Sequence, residues 1–432
     1  MKDNTIFKTL MDKELAYGVG AGEGKAIAFA VATARRYATG DIMRISVEGS
    51  PLLAIGAQTT IIPHADGQRG ALLPAALGAL VGNATAGMGV IDAITEADVQ
   101  AASQLIDDGR VTLTMDAAAP DVYLKVRLVT DQHTATVILY DSYAGVKYIE
   151  LDGNIIQDTR DLSVKPLQDI SELSVERIYD YCKNCPIEEL ERFKYLMELT
   201  GAISEDGLQH PYGLEVGRTL HEEVVKGTDT DDETNHILMW TVAGIDARMN
   251  GSACPSVGNT GSASQGHIIT AAPMACGSYR NMDEDTIIRA VALANLLNIY
   301  LDYLTKEYAH LSPMCYCGSV GVAAAVGGVA YLHSFTAAQI EELLRTVVGT
   351  LPGIICDGAS KPICALRVYT GLSGALHTLS IIEKGISIKG YEGIANDSLE
   401  VTMDNIYRLQ KDCMPHLNDF LFEIKKEQGN IC

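Results

Sequence analysis

The sequence predicts an α+β protein with a mainly helical C-terminal domain, an N-terminal helix that packs with it, and a smaller inserted α/β domain. Two observations carry this prediction. Between residues 41 and 151 apolar residues alternate with period two in short β-branched runs, whereas beyond residue 166 they recur at helical spacing. The predicted domains are 1–40 (the N-terminal helix), 41–165 (the inserted α/β domain) and 166–432 (the helical domain).

The inserted domain is predicted to hold two helices and several strands joined by short turns containing Gly or Asp, which is typical of antiparallel pairing. The strands are expected at 41–47, 58–62, 110–116, 122–129, 134–140 and 146–151, and the helices at 70–81 and 96–107. The first domain is expected to be helical over 7–38. In the C-terminal domain helices are expected at 187–199, 283–304, 320–332, 337–348 and 365–382, with loops at 204–207 and 251–266.

Composition limits the classes of partner. The chain of 432 residues has 33 Lys and Arg against 55 Asp and Glu, a formal charge of −22, which argues against nucleic acid and anionic membranes as partners. The start has no apolar signal core, and the apolar stretch 320–332 falls short of the ~20 residues that span a bilayer. We expect a cytoplasmic protein with ten reduced cysteines, a small-molecule substrate and a homodimeric assembly.

Two glycine-rich segments are candidates for ligand binding. The turn 17–25 precedes a helix but follows no β-branched strand, which excludes a dinucleotide fingerprint and leaves an anion site suited to a carboxylate. The segment 250–267 is long for a connector, although an ordinary loop is the alternative. Its small polar side chains suit a small substrate, with Asn259, Ser262, Ser264 and Gln265 as the candidate ligands.

The cysteines offer two interpretations. Cys315, Cys317, Cys356 and Cys364 stand beside glycines at the ends of apolar segments, which suits a metal or iron–sulfur centre, but buried structural cysteines have the same pattern. Spacing alone leaves both open. The pair at Cys182 and 185 has no second pair at zinc-site spacing, so we interpret it as incidental.

Several stretches resemble a known family over nearly the whole chain. They are the helix start Cys317-Gly318, the run Cys356-Asp-Gly-Ala…Cys364-Ala-Leu-Arg, the loop Gly261-Ser-Ala-Ser-Gln-Gly266, and Glu23 with the alanine-rich run that follows it. These stretches resemble the L-cysteine desulfidases and the iron–sulfur L-serine dehydratases of the α-chain type.

The resemblance implies a [4Fe–4S] cluster held by Cys317, Cys356 and Cys364, with one iron left open. The open iron acts as a Lewis acid on a β-thiol or β-hydroxyl, and a base removes the α-proton. His267 and Lys361 are the candidate bases, whereas Glu23 and the loop at 259–266 would position the substrate. The terminal thiol of Cys432 could cap the open iron.

Departures from the family pattern suggest an altered substrate. Where the desulfidases have Gly-Cys-Thr-Glu-Pro, this chain has Ala21 in place of the thiol, and the usual Lys-Asn-Gly is Ala54-Ile-Gly. Cys315 or Cys254 could replace one of the three cluster ligands. Two other functions stay open: a non-catalytic relative that binds a ligand or senses redox state, and a pyridoxal-phosphate lyase that uses Lys361.

Overall fold

The protein is described by a computed structural model of residues 4–427, with the exception of 19–21, 59, 63, 66, 117–118, 120–121, 141–142, 161–169, 306–312 and 357–360. Within this part of the chain the helices outnumber the strands, and the class is α+β as the sequence predicts. The helices of the first 210 residues are α1 (Thr5–Glu14), α2 (Gly22–Arg35), α3 (Pro51–Gln58), α4 (Leu72–Leu80), α5 (Glu96–Asp107), α6 (Val175–Asn184) and α7 (Arg192–Gln209). Those that follow are α8 (Val216–Lys226), α9 (Glu233–Met249), α10 (Ala263–Tyr279), α11 (Glu284–Leu304), α12 (Val322–Leu332), α13 (Ala337–Thr350), α14 (Cys364–Glu383), α15 (Leu399–Arg408) and α16 (Met414–Glu427).

The strands form two sheets. They are β1 (Leu15–Gly18), β2 (Ile42–Gly49), β3 (Val111–Met115), β4 (Tyr123–Thr130), β5 (Thr134–Tyr140), β6 (Val146–Leu151), β7 (Asn154–Asp158) and β8 (Ser256–Asn259). Six of them make a sheet of order β3-β2-β4-β5-β6-β7, in which β2 and β3 are parallel and every other pair is antiparallel. The other two, β1 and β8, form a small antiparallel sheet.

Two apolar cores divide the described chain. One gathers the helices from α6 onward together with Phe7, Leu10 and Met11 of α1. The other lies between the six-stranded sheet and its helices, and it includes residues 26–34 of α2. The N-terminal segment is therefore shared between the cores, which differs from the expectation that residues 1–40 pack with the helical domain. The reason is that α2 is buried from Gly24 to Ala34, against α4 and the sheet.

The first predicted helix is interrupted for a tertiary reason. Helix α1 ends at Glu14 because the chain turns extended at Leu15, and β1 then pairs with β8, with Leu15 opposite Asn259 and Ala16 opposite Gly258. This pairing joins the N-terminal segment to the loop that the sequence assigns to substrate binding. Local helical propensity is overridden by a strand partner that lies more than 200 residues away in sequence.

Three other expectations are wrong. The predicted strand 58–62 reduces to a single bridge between Ile61 and Arg69 after α3. The predicted loop 204–207 lies inside α7, where Gly207 packs against the backbone of Ala243 so closely that an added Cβ would lie 2.0 Å from its carbonyl oxygen. The segment 251–266 is also not a continuous loop, because it contains β8 and the first turn of α10.

Helix α11 is the central helix of the larger core. In the described part of the chain it is the one helix whose length and composition would allow it to cross a membrane, but 89% of its apolar window is buried inside the protein. It carries a polar stripe of Asn295, Asn298 and Asp302, whose spacing of three and four residues puts them on one face. That face looks toward the candidate site.

Candidate functional site

Two chain segments that carry cysteines pair side by side. Cys315 N donates a hydrogen bond of 2.7 Å to Ile354 O, and Cys356 N donates one of 2.5 Å to Pro313 O. Met314 and Ile355 form the antiparallel bridge between them. This short ladder fixes Cys315 and Cys356 next to each other, although the two residues are 41 positions apart in sequence.

The other two cysteines stand at helix starts that approach closely. Cys317 begins a five-residue π-helical turn that leads into α12, and Cys364 is the first residue of α14. An added Cβ on Gly371 would lie 2.0 Å from Gly318 O, so a residue with a side chain at position 371 would force the two segments apart. The two glycines thus allow the contact that brings Cys317 toward Cys364.

The thiols of this group influence one another. Burial, and after it negative charge on Cys364 or Cys356, raises the pKa of Cys317 to about 12, although Arg248 opposes the change. The Cys315 pKa is raised well above its usual range, first by a hydrogen bond with Cys356 and then by burial. Without a metal these thiols hold their protons, whereas a bound metal or cluster deprotonates its thiols. The four thiols are buried or partly buried, and Arg248 is the cation near them. Such a set of sulfur donors fits an iron–sulfur cluster.

The remaining cysteines lie elsewhere. Cys254 lies near Tyr212, whose pKa its charge would raise, and it is not among the groups that shift the pKa of Cys315 or Cys317. The pair Cys182 and Cys185 is buried at the end of α6, where Arg289 Nη1 donates to both backbone carbonyls, at 2.7 and 3.1 Å. Cys432 lies outside the described residues, as does the side chain of Lys361, and their predicted roles stay predictions.

Two of the predicted substrate ligands face the cysteine group. Ser262 caps α10 by accepting a hydrogen bond of 3.3 Å from Gln265 N, and its Oγ lies 3.9 Å from Cys317 Sγ. Ser264 Oγ accepts a hydrogen bond of 2.7 Å from Arg248 Nη1. The N-terminus of α10 therefore presents hydroxyl groups and its dipole to the space beside the thiols.

The other two predicted ligands of this loop turn away from it. Asn259 is fully buried: its Nδ2 donates to Asn295 Oδ1 at 3.0 Å, and its Oδ1 accepts from Asn298 Nδ2 at 3.0 Å. Gln265 Nε2 donates to Asn298 Oδ1 at 3.1 Å and to Asp302 Oδ2 at 3.2 Å. Both amides bind the polar stripe of α11, which indicates that they shape the loop.

Thr260 shows that this loop is held under constraint. Its φ of 47° is left-handed, a conformation that disfavours a β-branched residue. The strained turn is stabilised by Thr260 N, which donates to Glu14 O at 3.1 Å, and by Thr260 Oγ1, which donates to Asp302. Burial raises the pKa of Asp302 to about 7, although hydrogen bonds from Thr260, Gln265 and Asn298 oppose that change.

The sheet side of the site contributes Glu23, which the sequence predicts as a substrate ligand, and Tyr143, which the sequence does not single out. Glu23 lies in the first turn of α2, and Tyr143, between β5 and β6, packs against Gly22. Burial raises the pKa of Tyr143, and so do the charges of Glu23 and Cys356, which indicates that the tyrosine lies near both groups. No motif marks Tyr143 in the sequence, since only tertiary packing brings its turn here.

Arg248 is the other site residue that sequence reasoning missed. It is the penultimate residue of α9, and its side chain is buried beside Ser264. A basic residue in the last turn is common at the C-terminal end of a helix, so the sequence gives no reason to assign Arg248 to a site. The nearby charges that raise its pKa are Glu23, Cys317 and Cys364, whereas burial lowers it.

His267, a predicted base, is fully buried in α10. Its Nε2 lies 3.0 Å from Thr241 O, and Nδ1 makes no hydrogen bond with the described residues. The ring fills the space over Gly244, where an added Cβ would lie 2.1 Å from its Cε1. Burial lowers its pKa to about 4, so the imidazole is neutral at pH 7. Its role as a base stays a prediction, and the structure adds a packing role.

We expect the buried imidazole to make stability fall in acid. The folded protein holds His267 neutral with a pKa of about 4, whereas the unfolded chain has the usual value of 6.5, so folding stability is lost as pH falls through that window. The loss at pH 4 is about 3 kcal/mol. His267→Gln should flatten this slope in urea unfolding measured between pH 7 and 4. His236→Gln, at a half-buried histidine, is the control; equal slopes for the wild type and His267→Gln would contradict the assignment.

A second group of metal-ligand types lies apart from the cysteines. Ligand atoms of Glu233, Cys276 and His333 all lie within 4.8 Å of one another. However, Arg280 Nη1 lies 2.8 Å from His333 Nε2 and 3.4 Å from Glu233 Oε2. A cation therefore already occupies the position that a metal would need, and we assign no metal to this group.

Comparisons with known proteins agree with this geometry. The family model described as "Serine dehydratase alpha chain" matches residues 85–420, a range that contains all four converging cysteines. A UPF0597 protein of Shewanella halifaxensis is 32% identical over 365 residues, which cover 83% of this chain and 82% of that protein. A UPF0597 protein of Vibrio parahaemolyticus is 30% identical over 410 residues, 94% of this chain and 95% of the relative.

Proposed function

Because the chain belongs to the serine dehydratase alpha-chain family, we propose that it is a [4Fe–4S]-dependent lyase that eliminates a β-leaving group from a small substrate. In this reaction the α-carbon loses a proton and the bond from the β-carbon to the leaving group breaks. The enamine that an amino acid yields takes up water and becomes a keto acid and ammonia. The lyase would act in the cytoplasm on a free small molecule.

The observation that carries the proposal is the convergence of Cys317, Cys356 and Cys364. They come from three separate segments, joined by the ladder at Met314 and Ile355 and by the close approach of α14 to the π-helical turn. These three would hold the cluster, with Cys315 as the alternative ligand. When bound, the cluster supplies a Lewis acid for the departing thiol or hydroxyl.

The protein itself supplies positioning and exclusion of water. Ser262 places its hydroxyl 3.9 Å from Cys317 Sγ, Ser264 binds Arg248, and the buried Tyr143 lies near Glu23 and Cys356. Burial of these groups strengthens each electrostatic contact to a bound substrate, because the surroundings have a low dielectric constant. His267 and Lys361 remain the predicted proton acceptors.

Iron and acid-labile sulfide content of protein purified without oxygen tests the proposal. We expect about four irons per chain and a broad visible band near 400 nm that air bleaches. A panel of small amino and hydroxy acids with different leaving groups then tests elimination. Iron-free protein that cannot be reconstituted would overturn the cofactor. A cluster with no elimination from the panel would instead favour a non-catalytic ligand-binding or redox-sensing relative.

A further inference from the structure

Cys315 is a fourth thiol in a group of which the proposed cofactor uses three. It is 6% exposed, its backbone N–H donates to Ile354 O at 2.7 Å, and its Sγ accepts a hydrogen bond of 3.4 Å from Gly318 N. One of these contacts comes from the facing segment and the other from the turn that follows. The sulfur therefore has a defined position, although the set of three cysteine ligands gives it no task.

The thiol next to Cys315 is that of Cys356. The two side chains share a hydrogen bond, and the bridge between Met314 and Ile355 holds their segments side by side. Two thiols in hydrogen-bond contact on paired segments meet the main requirement of a disulfide, which is the close approach of both backbones. Cys356 is partly exposed whereas Cys315 is buried, so a small oxidant from solvent reaches Cys356 first.

The pair Cys182 and Cys185 differs from these two thiols. Its Cys-x-x-Cys spacing is that of many redox motifs, but the two residues are 0% and 6% exposed, and burial raises the pKa of both. Neither of them offers the exposed, ionised sulfur that an oxidant attacks. The structure thus favours oxidation of two thiols that are 41 positions apart over the two that are close in sequence.

We infer that Cys315 and Cys356 form a redox-active pair, in which hydrogen peroxide oxidises Cys356 and Cys315 is the resolving thiol. The Cys356 sulfur takes one oxygen from the peroxide, and the other oxygen leaves as water. The Cys315 sulfur then attacks the sulfenic acid, the S–S bond forms as the S–O bond breaks, and a second water leaves. Two thiols thus lose two electrons, which reduce one peroxide to two waters. The disulfide protects Cys356 from irreversible oxidation, and a thiol reductant reverses it.

Peptide mapping of the full-length protein tests the inference. Protein purified without oxygen is freed of iron with a chelator and treated with an equimolar amount of hydrogen peroxide. The remaining thiols are then blocked with N-ethylmaleimide, and unreduced peptides are identified by mass spectrometry. We expect a disulfide between Cys315 and Cys356, which dithiothreitol reduces with recovery of the ability to bind iron. Cys315→Ser, treated in the same way, should carry a sulfinic acid on Cys356 and lose that ability.

Cys182 and Cys185 are the matched control in the same protein. They should remain thiols that N-ethylmaleimide labels once the treated protein is unfolded. A disulfide between them, with Cys356 unpaired, would overturn the inference, because spacing in the sequence would then decide the reactive pair. A disulfide within another pair of the converging cysteines would overturn it as well. So would loss of iron in untreated Cys315→Ser, since Cys315 would then be a ligand of the cluster.

The outcomes separate this inference from the proposed function. If Cys315 and Cys356 form the disulfide in a protein that holds no iron and eliminates nothing, the lyase proposal fails and the redox-active pair stands. If the protein holds iron and catalyses elimination, but peroxide oxidises Cys356 to a sulfinic acid and leaves Cys315 as a thiol, the inference fails and the lyase proposal stands.

Discussion

Cys356→Ser is expected to remove both the iron–sulfur chromophore and all detectable elimination. Cys356 sits at the junction of the two paired segments, where it is a hydrogen-bonding neighbour of Cys315 and lies near Cys317 and Tyr143. A serine hydroxyl has nearly the same shape as the thiol but is a much poorer ligand for iron. Iron and sulfide analysis, the visible spectrum and an elimination assay measure the effect together.

Cys182→Ala is the control for this experiment. Cys182 is fully buried in α6, away from the converging thiols, so its loss should cost only about 1 kcal/mol of stability through a small cavity. Its iron content should equal that of the wild type. A brown, active Cys356→Ser protein would contradict the ligand assignment, and if Cys315→Ser lost the iron instead, Cys315 would be the third ligand.

The cysteine group can be proposed as a site from the sequence because its pattern is local. A thiol beside glycine at the start of an apolar helix is visible in the chain, and the structure brings Cys317, Cys356 and Cys364 together. Their partner Arg248 was not visible, because a single arginine at a helix end has an ordinary explanation. Its significance depends on burial, and burial depends on how α9 packs against α10.

The direction of side chains in the loop could not be predicted either. Asn259, Ser262 and Gln265 all have side chains that could form hydrogen bonds with a ligand. Packing against α11 decides which of them face the cysteine group. The polar stripe of α11 was available as a signal, since three polar residues at helical spacing interrupt an apolar helix. The sequence also does not show which apolar core α2 packs into, because an alanine-rich helix fits either core.

Asp302→Asn is expected to lower the unfolding free energy by about 2–3 kcal/mol and to lower the rate of elimination. The Asp302 carboxyl accepts hydrogen bonds from Thr260, Gln265 and Asn298, and all three are donors in this arrangement. All three bonds end on Oδ2, so an asparagine would keep a neutral acceptor there, and its NH2 group would replace Oδ1, which lies 3.5 Å from Gln265 Nε2. Two buried donors would then face each other, and the remaining bonds would lose the strength that a charged acceptor gives them. Thr260, whose left-handed backbone depends on this contact, should then relax and move Ser262 away from the cysteines.

Asp246→Asn separates the positioning role of Asp302 from simple loss of stability. Asp246 is also a buried carboxyl, 1% exposed, with its pKa raised to about 7 by burial, but it holds the start of α8 by accepting from Gly217 N at 3.2 Å. Its variant should lose comparable stability and keep the elimination activity and the iron. If both variants lowered the activity equally, the hydrogen-bond network around Asp302 would be no more than a structural core. If only Asp302→Asn lowers the activity, the polar stripe of α11 positions the loop of the site through the contact between Asp302 and Thr260.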